Sequence, residues 1–175
     1  MKVNPKIRVG ILTVSDRSSR GEREDLSGPL LINKVVENDD IVHRIALLPD
    51  DYEKIRELLI LWCDSGEIDL ILITGGTGFA PRDVTPEATL SVIDKNAPGL
   101  AEAMRQASLK ITPHAMLSRS VTGIRRKTLI VNLPGSPKAA LENLEVIWPV
   151  LPHAIELLQE SPHSEAGHKI NPKES

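Results

Sequence analysis

IDLILITGGTGFAPRDVTPEAT, residues 68–89, passes from an apolar run through a glycine-rich turn into a helix start. Ile68, Leu70, Ile71, Leu72 and Ile73 are interrupted only by Asp69, the pattern of a strand covered on both faces of a parallel sheet. Gly75, Gly76 and Gly78 then remove three side chains in four positions. Such glycines permit positive φ and let backbone N–H groups approach an anion, usually a phosphate. The stretch lacks the Lys-Ser/Thr of a Walker A loop and the spacing of a dinucleotide fingerprint. Thr85-Pro86 reads as an N-cap followed by proline in the first helical position. With Thr85 filling the cap, Asp83 is expected on the loop with its carboxylate free, beside Arg82 as a phosphate partner or counter-charge.

Upstream, residues 7–14 (IRVGILTV) predict a first strand, followed by a polar loop from Ser15 to Gly28. Fourteen residues is long for a strand-to-helix connection, and long loops in compact domains are often functional. A helix follows from Pro29, capped by Ser27 or Gly28, so Ser15, Asp16, Ser27 and Gly28 are expected where a helix N-terminus helps hold an anion. Residues 41–48 predict a second strand with His43 and Arg44 exposed or at an edge. Ile55, Leu58, Leu59 and Trp62 then give one apolar face to a helix over 52–65. Asp50 or Asp51 would cap that helix, and one of them suffices.

Downstream, helices are expected over 86–95 and from Pro98 to Leu109, with 111–120 irregular. Residues 121–124 and 127–133 alternate as a hairpin that adds an antiparallel strand. The second strand runs into Pro134-Gly135-Ser136, and a helix over 138–159 is bent or broken at Pro149 and Pro152. The fold class expected is α/β: three layers, a mostly parallel sheet with helices on both faces and an antiparallel hairpin strand. One domain is expected over 1–160, with a disordered polar tail at 161–175. In such sheets ligands bind outside the carboxyl ends of the strands, where four of these features fall.

A net charge of −3 offers no electrostatic footprint for nucleic acid or an anionic membrane, and four aromatic residues do not make a base-stacking surface. The single Cys63 excludes an internal disulfide framework and a Cys-rich zinc site, and reads as an inert, partly buried thiol. No apolar stretch approaches membrane-spanning length and the first residues carry no apolar leader core, so the expected location is the cytoplasm.

TGGTGFAPRDVTPEAT, Thr74 to Thr89, resembles the signature of the molybdopterin adenylyltransferase family, which includes the amino-terminal domain of gephyrin. TVSDR at 13–17, PD at 49–50, ITPHAMLSRS at 111–120, GIRRKTLIVNLPGSPKA at 123–139 and LPHAI at 151–155 extend the resemblance over most of the chain. It implies adenylyl transfer from Mg-ATP to the terminal phosphate of molybdopterin, with pyrophosphate released. It also implies Asp50 and Asp83 as the active-site carboxylates. Two carboxylates beside phosphate cradles repel unless a divalent cation lies between them, and Mg²⁺ takes one or two carboxylates plus phosphates and waters. On this resemblance Thr74, Gly75, Gly76, Thr77 and Gly78 belong to the phosphate loop. Ser108 and Ser118 contact the pterin or its phosphate, while Asn132, Pro134, Gly135 and Ser136 complete the pocket. A homotrimer and a separate molybdenum-insertion protein are implied partners. The rival reading is a non-catalytic molybdopterin-binding or scaffold protein of the same fold; a nucleotide hydrolase fits less well because no additional domain is expected.

Overall fold

The computed structural model describes residues 6–160; the expected tail at 161–175 lies outside them. Six strands form one sheet: β1 (Arg8–Val14), β2 (Ile41–Leu48), β3 (Leu70–Thr74), β4 (Lys95–Asn96), β5 (Thr122–Arg125) and β6 (Thr128–Leu133), in the order β2-β1-β3-β6-β5-β4. The β1–β2, β1–β3 and β3–β6 pairings are parallel, and β5 pairs antiparallel with β6 as the hairpin pattern predicts.

Period-two alternation separates two cores. Leu70 and Leu72 of β3 join Val9 and Ile11 of β1 and Val131 of β6 on one face. That face is covered by α2 (Ser27–Glu37), α5 (Pro98–Leu109), α6 (Pro137–Ile147) and α7 (Leu151–Leu158). Ile71 and Ile73 turn the other way, with Leu12 and Val14, against α3 (Tyr52–Asp64) and α4 (Thr85–Leu90). Each residue of β3 is buried, which is why its run is apolar on both faces. Gly10 lies under Trp62, whose ring atoms sit 2.8 Å from where a Cβ would be.

Asp69, the break in the apolar run, stands just before β3 and is 5 % exposed. Its carboxylate accepts from Arg8 N, Nε and Nη2 at 2.8, 3.0 and 2.7 Å, and from Gln159 Nε2 at 3.0 Å. It thereby ties β1, β3 and the end of α7 together at the amino ends of the strands.

Four expectations change. The helix expected from Pro29 with Ser27 or Gly28 as its cap begins at Ser27 after Leu26, and Asp25 receives the Ser27 and Gly28 amides. The helix expected over 86–95 ends at Leu90, and Lys95–Asn96 instead pairs antiparallel with β5. Ile93 packs onto Gly123, with side-chain atoms within 3.0 Å of a Cβ built there, and Asp94 N donates to Ile124 O. These contacts draw the chain into the sheet edge. Thr85 is a first-turn residue rather than the cap; Val84 takes that place, and the Thr85 hydroxyl is buried without a partner. The segment expected to be irregular contains a 3₁₀ helix, Pro113–Leu117, whose first turn the Thr112 hydroxyl caps through His114 N. The break expected near Pro149 and Pro152 is present as a 3₁₀ turn, Trp148–Val150, between α6 and α7. No helix among the described residues is long and apolar enough to cross a membrane.

Register brings the strand ends level. Val14 lies opposite Leu48, Thr13 opposite Thr74, and Thr74 opposite Leu133. The loops beginning at 15, 49, 75 and 134 therefore leave the sheet side by side.

Candidate active site

A cavity of about 790 Å³ opens where those four loops converge. Ser15, Asp16, Ser27, Asp50, Thr74, Gly75, Gly76, Arg82, Asp83, Gly135 and Ser136 line it, as do Arg17, Arg20, Arg23 and Asp25. A smaller cavity of about 300 Å³ adjoins the same glycine turn, lined by Thr77, Gly78, Ser108, Ser118, Pro134 and Asn143 with Ile111, Ala115 and Leu117 on its walls. The GGTG quartet therefore divides between two cavities: Gly75 and Gly76 face the larger, Thr77 and Gly78 the smaller.

Backbone geometry explains the glycine pair. Gly75 has φ +103° and Gly76 φ +64°, conformations costly for other residues. A Cβ on Gly75 would lie 2.1 Å from Val14 O, so the turn packs against the end of β1. Gly75 N–H is already donated to Leu133 O at 3.3 Å, so this glycine shapes the loop and does not offer its N–H to a phosphate.

Asp51 caps α3 by accepting from Lys54 N, which leaves Asp50 to the cavity. Asp50 and Asp16 are tied reciprocally: Asp16 N donates to Asp50 Oδ2 and Asp50 N to Asp16 Oδ1, both at 3.0 Å. Burial pushes the Asp50 carboxyl above its ordinary value; the Asp16 amide opposes this, the charges of Asp16 and Asp83 add to it, and Arg82 opposes it. The Asp83 carboxylate is not wholly free, as its Oδ2 accepts from Ala80 N at 3.0 Å while Asp83 N donates to Ala80 O at 2.8 Å. This short turn fixes the carboxylate to its loop ahead of α4. Among the described residues no group of three or more His, Cys, Asp or Glu side chains is arranged to hold a metal. Two carboxylates on one cavity, each with Oδ1 outside these bonds, fit a magnesium ion shared with phosphates and water better than one caged by protein.

The anion site expected at the start of α2 is filled by the chain itself. Asp25 Oδ1 accepts from Ser27 N and Gly28 N at 3.0 Å, and Thr13 Oγ1 donates to its Oδ2 at 2.7 Å. Ser27 Oγ donates to Gly135 O, and Gly28 lines neither cavity. Ser15 caps the short helix α1 (Asp16–Ser19) through Ser18 N, and Thr74 Oγ1 donates to Pro134 O. Ser108 Oγ accepts from Asn143 Nδ2, and Ser118 Oγ donates to Ser120 Oγ. Asn132 stands apart: it is fully buried, accepts from Val121 N and donates to Thr89 Oγ1, so it joins β6 to its surroundings rather than lining a cavity.

Sequence reasoning missed Asp25 and Arg119. Asp25 is legible as a cap two and three residues ahead of the amides it receives. Arg119 carries no such spacing signal, because the groups it binds are 32 to 41 residues away.

A family model described as "Probable molybdopterin binding domain" matches residues 10–153. The molybdopterin adenylyltransferase of Helicobacter pylori is 44% identical over 154 residues, covering 87% of this chain and 88% of that protein. Gephyrin of Dictyostelium discoideum is 44% identical over 167 residues, which is 89% of this chain but 23% of gephyrin's length. The crystal structure of the molybdopterin biosynthesis enzyme MoaB from Thermus thermophilus superposes with a TM-score of 0.84 at 51% identity, over 89% of this chain and 98% of that one. Sequence, fold and the convergence of loops around the glycine turn agree, and the chain belongs to the molybdopterin-binding domain family.

Proposed function

We propose that this chain is a molybdopterin adenylyltransferase, transferring AMP from Mg-ATP to the terminal phosphate of molybdopterin and releasing pyrophosphate. The observation that carries the reading is Asp50 and Asp83 on one polar cavity at the glycine turn, in a chain 44% identical to a protein of that name along nearly its whole length. The larger cavity takes the nucleotide. The smaller, with Ser108 and Ser118 against apolar walls, takes the pterin, so the two substrates meet across Gly76 and Thr77.

A phosphate oxygen of molybdopterin attacks the α-phosphorus of ATP, and the bond to the pyrophosphate oxygen breaks. A phosphate monoester is largely dianionic near neutral pH, so no strong general base is required. The protein's work is alignment and neutralisation of charge. Asp50 and Asp83 would hold the Mg²⁺ that accompanies the nucleotide, which supplies positive charge to the phosphates. Arg82, with Arg17 of α1 and Arg23 of the loop between α1 and α2, brings further positive charge to the same cavity for the departing pyrophosphate. A homotrimer in the cytoplasm, working ahead of a separate molybdenum-insertion protein, belongs to the same reading, and light scattering of the purified chain tests the assembly.

The direct test is formation of adenylylated molybdopterin from ATP and Mg²⁺ by wild type, Asp50→Ala and Asp83→Ala, with pterin binding measured in parallel. Product from the wild type, lost by at least about 100-fold in both variants while the pterin still binds, is expected. A folded, pterin-binding wild type that makes no product would overturn the enzyme reading in favour of a carrier.

A further inference from the structure

Asp83 is held to its loop by the Ala80 turn, but something must also hold the loop to the protein. Arg119, between the 3₁₀ helix Pro113–Leu117 and β5, makes that connection. Its own N–H donates to Thr77 O at 2.9 Å. Its guanidinium donates through Nε to Gly78 O and through Nη2 to Asp83 O, both at 2.7 Å, and through Nη1 to Glu87 in α4. One side chain therefore spans both ends of the 78–83 loop and the helix that follows. The segment bearing Arg119 is itself anchored, since Arg105 Nη1 donates to Ser120 O at 2.7 Å. Ser118, one residue before, lines the smaller cavity, while Asp83 lines the larger.

A guanidinium suits this task because its planar fork directs five N–H donors in fixed, diverging directions; a lysine ammonium is a point charge on a flexible stem. We propose that Arg119 is a positioning residue that clamps the Gly78 and Asp83 carbonyls, aims the Asp83 carboxylate into the nucleotide cavity, and links that aim to the wall of the pterin cavity. The proposal deepens the adenylyltransferase reading and rests on it for its kinetic consequence.

The test compares Arg119→Lys and Arg119→Met with Glu87→Gln, which retains the bonds from the guanidinium to both carbonyls. Steady-state kinetics, substrate-free amide hydrogen exchange over residues 78–83 and thermal unfolding are measured for each. Both Arg119 variants are expected to lose about 100-fold in kcat, since small misplacement of a reacting constellation costs that much, with KM for ATP changed less than about threefold. Exchange over 78–83 should quicken while β3 stays protected, and Glu87→Gln should remain within about threefold of wild type in kcat. Wild-type kcat in Arg119→Lys, or an activity loss that follows the unfolding temperature with loop exchange unchanged, would overturn the proposal. If the wild type makes no adenylylated product, the functional reading fails separately, and the exchange data alone decide the clamp: quickened exchange supports it and unchanged exchange sinks it.

Discussion

Gly76 stands where a single methyl would collide with the candidate site. A Cβ there would meet Thr85 Oγ1 at 2.4 Å and Asp50 Oδ1 at 2.9 Å, on a backbone already at φ +64°. Gly76→Ala is expected to lower stability by about 1–2 kcal/mol through the left-handed backbone alone, read as a shift in the urea midpoint. Its activity should fall further than that shift explains, because Asp50 must move. Asp50 makes a second prediction. Its folded carboxyl binds a proton more tightly than the unfolded one, so it favours folding at low pH, and that contribution is lost as pH rises through its raised value. Asp50→Asn, which retains an acceptor for Asp16 N, should therefore be more stable than wild type at neutral pH, with the advantage vanishing in acid, while adenylylation is lost. Cys63, pushed up to about 12 by burial, should resist alkylation at pH 8 until the chain is unfolded. At this scale the sequence displays residues whose partners are near. A cap of α3 at Asp50 or Asp51 is visible, and only the resemblance assigns Asp50 to the site; the structure gives the cap to Asp51. Arg119 was not visible, because a lone arginine in a polar stretch looks solvated until a distant loop is folded onto it.

Elements follow the same division between local and distant causes. Strand β3 and the hairpin β5–β6 are written in their own periodicity, and α3 in its apolar face and its cap. Strand β4 is not, since two residues, Lys95 and Asn96, become a strand only through β5 beside them. The cap and the catalytic candidate at the start of α3 can be separated experimentally. Asp51 is held below its usual range chiefly by the Lys54 N–H, so its contribution to stability is present above the unfolded carboxylate range and lost as pH falls through the lowered value. Asp51→Ala should thus lower the urea midpoint at neutral pH, approach wild type in acid, and keep its activity; Asp50→Ala should lose activity. Equal activity loss in both would mean that the start of α3, rather than one carboxylate, matters.

Across the whole molecule, the layered α/β plan and the convergence of the candidate loops on one cavity were legible because a parallel sheet sends its loops to one end. The partition of that end into two cavities was not, because it depends on how the segment 111–120 folds back over the glycine turn. The opposite end is closed by the four donors on Asp69. Asp69→Ala is expected to cost about 2–3 kcal/mol by chemical denaturation, through loss of a buried, charge-assisted hydrogen-bond hub. That hub lies at the far end of the sheet from the loops that build both cavities, so β1 is fixed on β3 at a distance from the site, as pages are fixed at a spine. A substitution in those loops is therefore expected to leave in place the register that sets them side by side.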